Sequence, residues 1–160
     1  PNMRSLTEAT LYTGVALIEG TNVSVGRGTD TPFELVGAPW INATELAAYM
    51  NSRNISGVRF VPTKFTPVSA VYPNQECSGI NIFVTDRIAL DAPELGIELA
   101  SALMKLYPQQ YKSEKIVHLL GGQSVYDSLA TGQDPRRIAG EWQEKIEDFQ
   151  KVRAKYLIYK

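Results

Sequence analysis

The order of signals along this sequence predicts an α+β fold, with a mixed or antiparallel sheet built mainly from the first half and packed by helices mainly from the second. Three observations carry that expectation. Short apolar runs, broken by proline and glycine, crowd the stretch before residue 85. Capped stripes at helical spacing crowd the stretch after residue 91. No regular alternation of strand and helix links the two, so a doubly wound parallel sheet is not expected. The chain has 160 residues, 44% hydrophobic and 21% charged, an ordinary balance for one domain over 1–160 with a core of its own.

In chain order, Ser5-x-x-Glu8 is a capping box and Gly14 a stop for the short helix it opens. The apolar run Val15–Glu19 reads as a buried strand that empties into the glycine- and threonine-rich loop after Gly20. Pro32 and Pro39 bracket PFELVGAP, which restricts any strand there to a short or edge position. Asn42-x-x-Glu45 opens a second helix, with Leu46, Tyr49, Met50 and Arg53 at helical spacing. VRFVP and KFTPVSAVYP read as two proline-interrupted strands, and CSGINIFVTD as a half-buried strand carrying Ile80, Ile82 and Val84. Asp91–Pro93 starts a helix with Leu95, Leu99, Ala102, Leu103 and Leu106 on one stripe, stopped by Pro108. A short helix around Val125–Thr131 ends at Gly132. The last predicted element is a long amphipathic C-terminal helix, about 33 Å at 1.5 Å per residue. It is capped at Asp134, and its stripe Ile138, Trp142, Ile146, Phe149, Val152 and Tyr156 is expected to pack on the domain's own sheet.

Net charge is −1, which gives a nucleic acid no broad electrostatic reason to bind. No apolar run approaches the roughly 20 residues of a membrane span. Residues 1–80 hold five Lys/Arg and six Asp/Glu, against eleven of each in 81–160, so charges are scarce in the first half. Cys77 is the sole cysteine and His118 the sole histidine. Cys77 reads as a small packing residue at a strand start, and His118 as a satisfied core or boundary histidine. No metal cluster, phosphate loop or dinucleotide fingerprint is present, since Gly20–Gly26 lacks the lysine and Gly26-x-Gly28 lacks the third glycine. No cofactor is expected. The opening PNMRS, without an initiator Met, reads as a processed or excised start.

What remains is the segment Glu19–Glu34, EGTNVSVGRGTDTPFE. Glu19, Thr21, Asn22, Ser24, Arg27, Thr29 and Glu34 supply the donors and acceptors that bind sugar hydroxyls and carboxylates. Its glycines let backbone approach a ligand closely. Trp40 offers either an aromatic face to a sugar ring or a core side chain. The plain alternative is an ordered surface loop whose side chains satisfy its own backbone.

These stretches resemble the C-terminal domain of a bacterial family, long catalogued as a domain of unknown function, that includes peptidoglycan exo-β-N-acetylmuramidases. The resemblance runs through PNM at the start, Leu17–Trp40, Cys77–Asp86, Leu106–Pro108 and Ile138–Tyr159, nearly the whole chain. It implies a C-terminal domain of a larger two-domain, extracytoplasmic hydrolase that releases N-acetylmuramic acid from non-reducing ends of peptidoglycan fragments. The preceding domain is Rossmann-like in that family, carries the glutamates proposed for catalysis, and is absent from this chain. The catalytic residues are therefore left unassigned here, and the isolated chain is expected to be inactive. Glu19, Thr21, Asn22, Ser24, Arg27, Thr29, Glu34 and Trp40 are expected to line the substrate cleft. Arg27, the one cation between Arg4 and Arg53, either meets the lactyl carboxylate of muramic acid or a carboxylate of the preceding domain, or braces the loop against Glu19 or Glu34. A carbohydrate-binding or structural module without turnover is the alternative reading.

Overall fold

Each helix N-cap predicted from sequence forms through a side chain. The computed structural model describes residues 3–159; Pro1 and Asn2 of the PNM match lie outside the described residues. Ser5 accepts from the Glu8 amide at the start of α1 (Leu6–Val15), Asn42 from Glu45 at α2 (Ala43–Ser52), Asp91 from Glu94 at α3 (Ala92–Leu106), and, beyond the short α4 (Gln123–Ala130), Asp134 from Arg136 at α5 (Pro135–Gly140). Each satisfies an amide that the helix itself leaves unpaired.

The run Val15–Glu19 is not a strand. α1 continues through Gly14 to Val15 and tightens into a 3₁₀ turn over Ala16–Ile18. Leu11, Val15 and Ile18, spaced by four and three, are all fully buried, so the apolar run completes the stripe of a helix. A five-residue apolar run cannot distinguish these outcomes by periodicity. Gly14 does not stop the helix either. It marks where α1 crosses α3: a Cβ at Gly14 would lie 1.9 Å from the Ala92 carbonyl oxygen, and one at Gly96 would lie 2.4 Å from the Gly14 carbonyl oxygen.

Three strands form an antiparallel sheet in the order β1 (Leu35–Ala38), β3 (Cys77–Val84), β2 (Val58–Phe65). VRFVP and KF make one continuous strand rather than two. Pro62 is tolerated because β2 lies at an edge, where a missing N–H breaks no ladder on the outer side. The remainder of KFTPVSAVYP is a loop, with Ala70, Tyr72 and Asn74 all at positive φ. Val58, Phe60, Ile80, Ile82 and Val36 share one face of the pleat and are buried. Against that face lies α2, whose Leu46 and Met50 are fully buried, with α3 also packed on α2 and contributing Leu95, Leu99 and Leu103 to the same core. Burying each such side chain contributes about 1.5–3 kcal/mol.

A buried ion pair ties the helices together. Glu98 on α3 is 1% exposed and accepts from Arg53 at the end of α2 through two bonds of 2.8 Å. Arg53 also donates to both oxygens of Asp134, at 3.1 and 3.0 Å. The cap of α5 is thereby fastened to α2 and α3.

The predicted long C-terminal helix is broken. α5 ends at Gly140, the chain turns at Glu141–Trp142, and α6 (Gln143–Ala154) follows. Gly140 is the weakest helix former in the run apart from the N-terminal proline. Ile138 is buried and Trp142 packs on the core, but no residue of α6 is buried. The expected packing of its stripe on the sheet does not occur. His118 departs from expectation too. It is exposed at the end of a 3₁₀ turn over Glu114–His118, whose buried member is Ile116. Cys77 sits fully buried at the start of β3, and burial pushes its thiol up to about 11, which leaves it inert as a nucleophile.

Candidate functional site

The Glu19–Glu34 segment is laid along the free edge of β1. Ser24 and Gly37 exchange two backbone hydrogen bonds, Ser24 N–H to Gly37 O at 2.8 Å and Gly37 N–H to Ser24 O at 3.0 Å. The loop is thus fixed to the sheet through a one-residue bridge. Its return is set by Phe33, which takes φ 68° while its amide donates to Val25 O at 2.8 Å. The Phe33 ring is buried and meets Tyr12 edge-on at 5.0 Å.

Several of the predicted site residues satisfy the fold's own backbone. Thr21 is buried and donates to Ile18 O at 2.9 Å. Ser24 accepts from the Gly26 amide at 3.3 Å, and Thr29 donates to Gly26 O at 2.6 Å. Asn22 spends both ends of its amide on the segment after α3, donating to Gln110 O and accepting from the Lys112 amide, each at 2.8 Å. Trp40 donates to the Tyr72 hydroxyl at 3.1 Å, and Tyr72 donates onward to Asn22 O at 3.0 Å. Trp40 also meets Tyr107 edge-on at 5.5 Å. Those bonds lace three loops together: 20–31, 66–76 and 107–113.

Arg27 is different. Its Nε and Nη2 reach the two oxygens of Glu19, and its guanidinium lies 4.9 Å from the centre of the Phe33 ring. The hydrogen bond to Glu19 raises the Arg27 pKa further against the opposing effect of burial. Of the alternatives set out for this residue, the brace to Glu19 is therefore formed. The Nη1 hydrogens find no acceptor among the described residues. Glu34 behaves unlike Glu19. Its carboxyl has no hydrogen-bond partner among the described residues, and burial, with repulsion from Glu8, raises its pKa.

Beside Arg27 opens a cavity of about 730 Å³, lined by Arg4, Arg27, Gly28, Thr29, Asp30, Pro32, Phe65, Thr66, Val68, Ser69 and Ala70. Two segments far apart in sequence meet there because of Gly28. It takes φ 83°, its carbonyl accepts from the Val68 amide at 2.9 Å, and a Cβ on it would lie 2.6 Å from the Ser69 amide nitrogen. The cavity has two guanidinium groups in its wall, with Arg4 donating to Asp30 at 3.1 Å across exposed surface.

Sequence reasoning missed Arg4, Ser69 and the 65–70 segment. The one readable signal was the scarcity of charge in the first half, which singled out Arg27 and applied equally to Arg4. Of the predicted residues, Arg27 and Thr29 line this cavity. Glu19 and Ser24 line an adjoining crevice of about 40 Å³ that shares Arg27 and Ala70 with it. Thr21 and Asn22 line a separate hollow of about 190 Å³ with Lys112, Glu114 and Lys115. Glu34 and Trp40 line none of these three. No group of His, Cys, Asp and Glu among the described residues is arranged to hold a metal ion.

The geometry has counterparts among known proteins. Residues 10–159 match the family described as exo-β-N-acetylmuramidase NamZ, C-terminal. Over 162 aligned residues the chain is 35% identical to the peptidoglycan β-N-acetylmuramidase NamZ of Bacillus subtilis strain 168, covering 99% of this chain and 39% of that protein. Two crystal structures of DUF1343 family proteins from Bacteroides fragilis share the fold. One superposes with a TM-score of 0.83 at 21% identity over 95% of this chain and 42% of that one; the other has a TM-score of 0.74 at 24% identity, over 100% and 43%. The chain thus spans well under half the length of these relatives. With nearly its whole length matched by the family, the chain belongs to the exo-β-N-acetylmuramidase NamZ C-terminal domain family.

Proposed function

We propose that this domain is the C-terminal part of a peptidoglycan-processing glycoside hydrolase that releases N-acetylmuramic acid from non-reducing ends, and that the Arg27–Asp30 wall forms one side of the substrate cleft. The observation that carries the reading is the cavity of about 730 Å³ with Arg4 and Arg27 in its wall, beside a segment that the family match spans. Muramic acid bears a lactyl carboxylate. A guanidinium with free N–H groups is the side chain suited to it, and Arg27 presents Nη1 while Glu19 holds its other edge in place. Thr21, Asn22, Ser24, Thr29 and Trp40 support the wall by fixing the loops. Glu34 lies apart from the cavity lining.

Hydrolysis by this route needs a carboxyl pair across the scissile bond, about 5–5.5 Å apart for retention or about 6.5–9.5 Å for inversion. Glu19 is committed to Arg27 through both of its carboxylate oxygens. By the family resemblance, the pair belongs to a preceding Rossmann-like domain, which together with this one closes the cleft. A location outside the cytoplasm is part of the proposal, and the family resemblance supports it. Turnover of a chromogenic β-N-acetylmuramide by this chain and by the complete two-domain protein tests the division of labour. Hydrolysis by the complete protein alone is the expected outcome; hydrolysis by the isolated chain at the same rate contradicts it.

A further inference from the structure

The stripe predicted from sequence along the C-terminal segment does exist, but it leaves its own domain halfway. Ile138 and Trp142 belong to the core or pack on it. Past the turn at Glu141–Trp142, Ile146 is 40% exposed, Phe149 64%, Val152 51% and Tyr156 79%. At 100° per residue, Ile146, Phe149 and Val152 fall within one third of the helix circumference, and the exposed Tyr156 follows in the turn after α6. Lys145 and Arg153 fall on the same side, Asp148 lies beside that sector, and Glu144, Glu147 and Lys151 fall on the opposite side, with Lys151 paired to Asp148 at 2.9 Å. The outcome is an apolar face with cations in it, on a helix with no buried residue. Large apolar side chains in such a row mark a surface that is covered in the working protein.

We propose that this face of α6 docks onto the part of the complete protein that precedes this domain, against an apolar surface rimmed by carboxylates. The occupant follows from two observations. The stripe follows directly in the chain on buried Ile138 and half-buried Trp142, which join the core, so it borders an existing core rather than forming an isolated patch. The relatives are more than twice as long as the matched region, which this domain fills to 39%, 42% and 43% of their lengths. The cations in the face set the charge of the opposing rim. The inference rests on the two-part organisation proposed above, and not on the muramidase chemistry.

Hydrogen exchange on the complete protein tests it, comparing wild type with the Phe149→Asp, Val152→Asp double variant, with sedimentation run in parallel. The amides of 146–154 are expected to exchange at least tenfold more slowly in the wild type than in the variant, in a monomer, while α3 amides exchange alike in both. The 160-residue chain, whose core closes without α6, gives a second reference in which the same amides exchange fast. Equal exchange at 146–154 in wild type and variant, or in the complete protein and the isolated chain, overturns the proposal. So does protection that disappears on dilution together with a dimer, which assigns the face to a second copy. Turnover is not part of the readout: a protected α6 without muramidase activity counts against the activity alone, and activity with an unprotected α6 counts against the docking alone.

Discussion

Arg27 and Glu34 are two charged side chains of one loop with opposite fates. Arg27 has its partner, and Glu34 has burial and a like charge at Glu8 without a hydrogen bond to offset them. A carboxyl whose pKa is raised on folding binds more protons folded than unfolded between the two values. Stability contributed by its protonated form is therefore present at low pH and lost as pH rises past the ordinary value of 4.5. Glu34→Gln removes the charge that burial penalises. It is expected to raise the melting temperature at pH 7 and to leave it unchanged below pH 4, measured by thermal unfolding across that range. Gly28 gives a second residue-scale expectation. Gly28→Ala sets a Cβ against the Ser69 backbone at φ 83°, so it must displace the 66–70 segment. Overpacking of this kind costs about 1–3 kcal/mol, readable as a lower urea midpoint with an unchanged m-value.

Elements are held by a few contacts that act between them. Arg53→Ala strips the buried Glu98 carboxylate of both its hydrogen bonds and leaves only Arg136 Nε, at 4.0 Å; breaking a buried pair from one side typically costs about 3–5 kcal/mol. Urea unfolding of that variant is expected to show the loss, together with a freed α5, since Arg53 also holds Asp134. The caps Ser5, Asn42, Asp91 and Asp134 were legible because a cap is local: donor and acceptor lie two or three residues apart. The Arg53–Glu98–Asp134 network was not, because its members are 45 and 81 residues apart and each looks like an ordinary surface charge in isolation. The run Val15–Glu19 failed for another reason. Its apolar residues continue the α1 stripe from Leu11, and a short run read alone does not reveal that phase. In the candidate site, the loop was legible from composition and resemblance. The meeting of Arg27–Asp30 with Phe65–Ala70 depends on Gly28 allowing close approach, which becomes visible only with both segments in place.

At the scale of the whole molecule, an α+β domain with its own core has two features its own fold does not use: a cavity walled by two guanidinium groups, and a helix whose apolar face is uncovered. Both fit the proposal that this domain is one part of a longer protein; the chain covers 39% of the length of the Bacillus subtilis relative. The family match spans the cavity's loop and α6 alike. The central claim is that the Arg27 wall meets the muramic acid of the substrate. A lost charge-assisted hydrogen bond is worth about 1.5–3 kcal/mol, or roughly ten- to hundredfold in rate at 1.4 kcal/mol per factor of ten. The most direct measurement is kcat/KM of the complete protein and its Arg27→Ala variant on a chromogenic β-N-acetylmuramide. The account predicts a fall of about ten- to hundredfold in the variant, whereas a value within twofold of the wild type would contradict it.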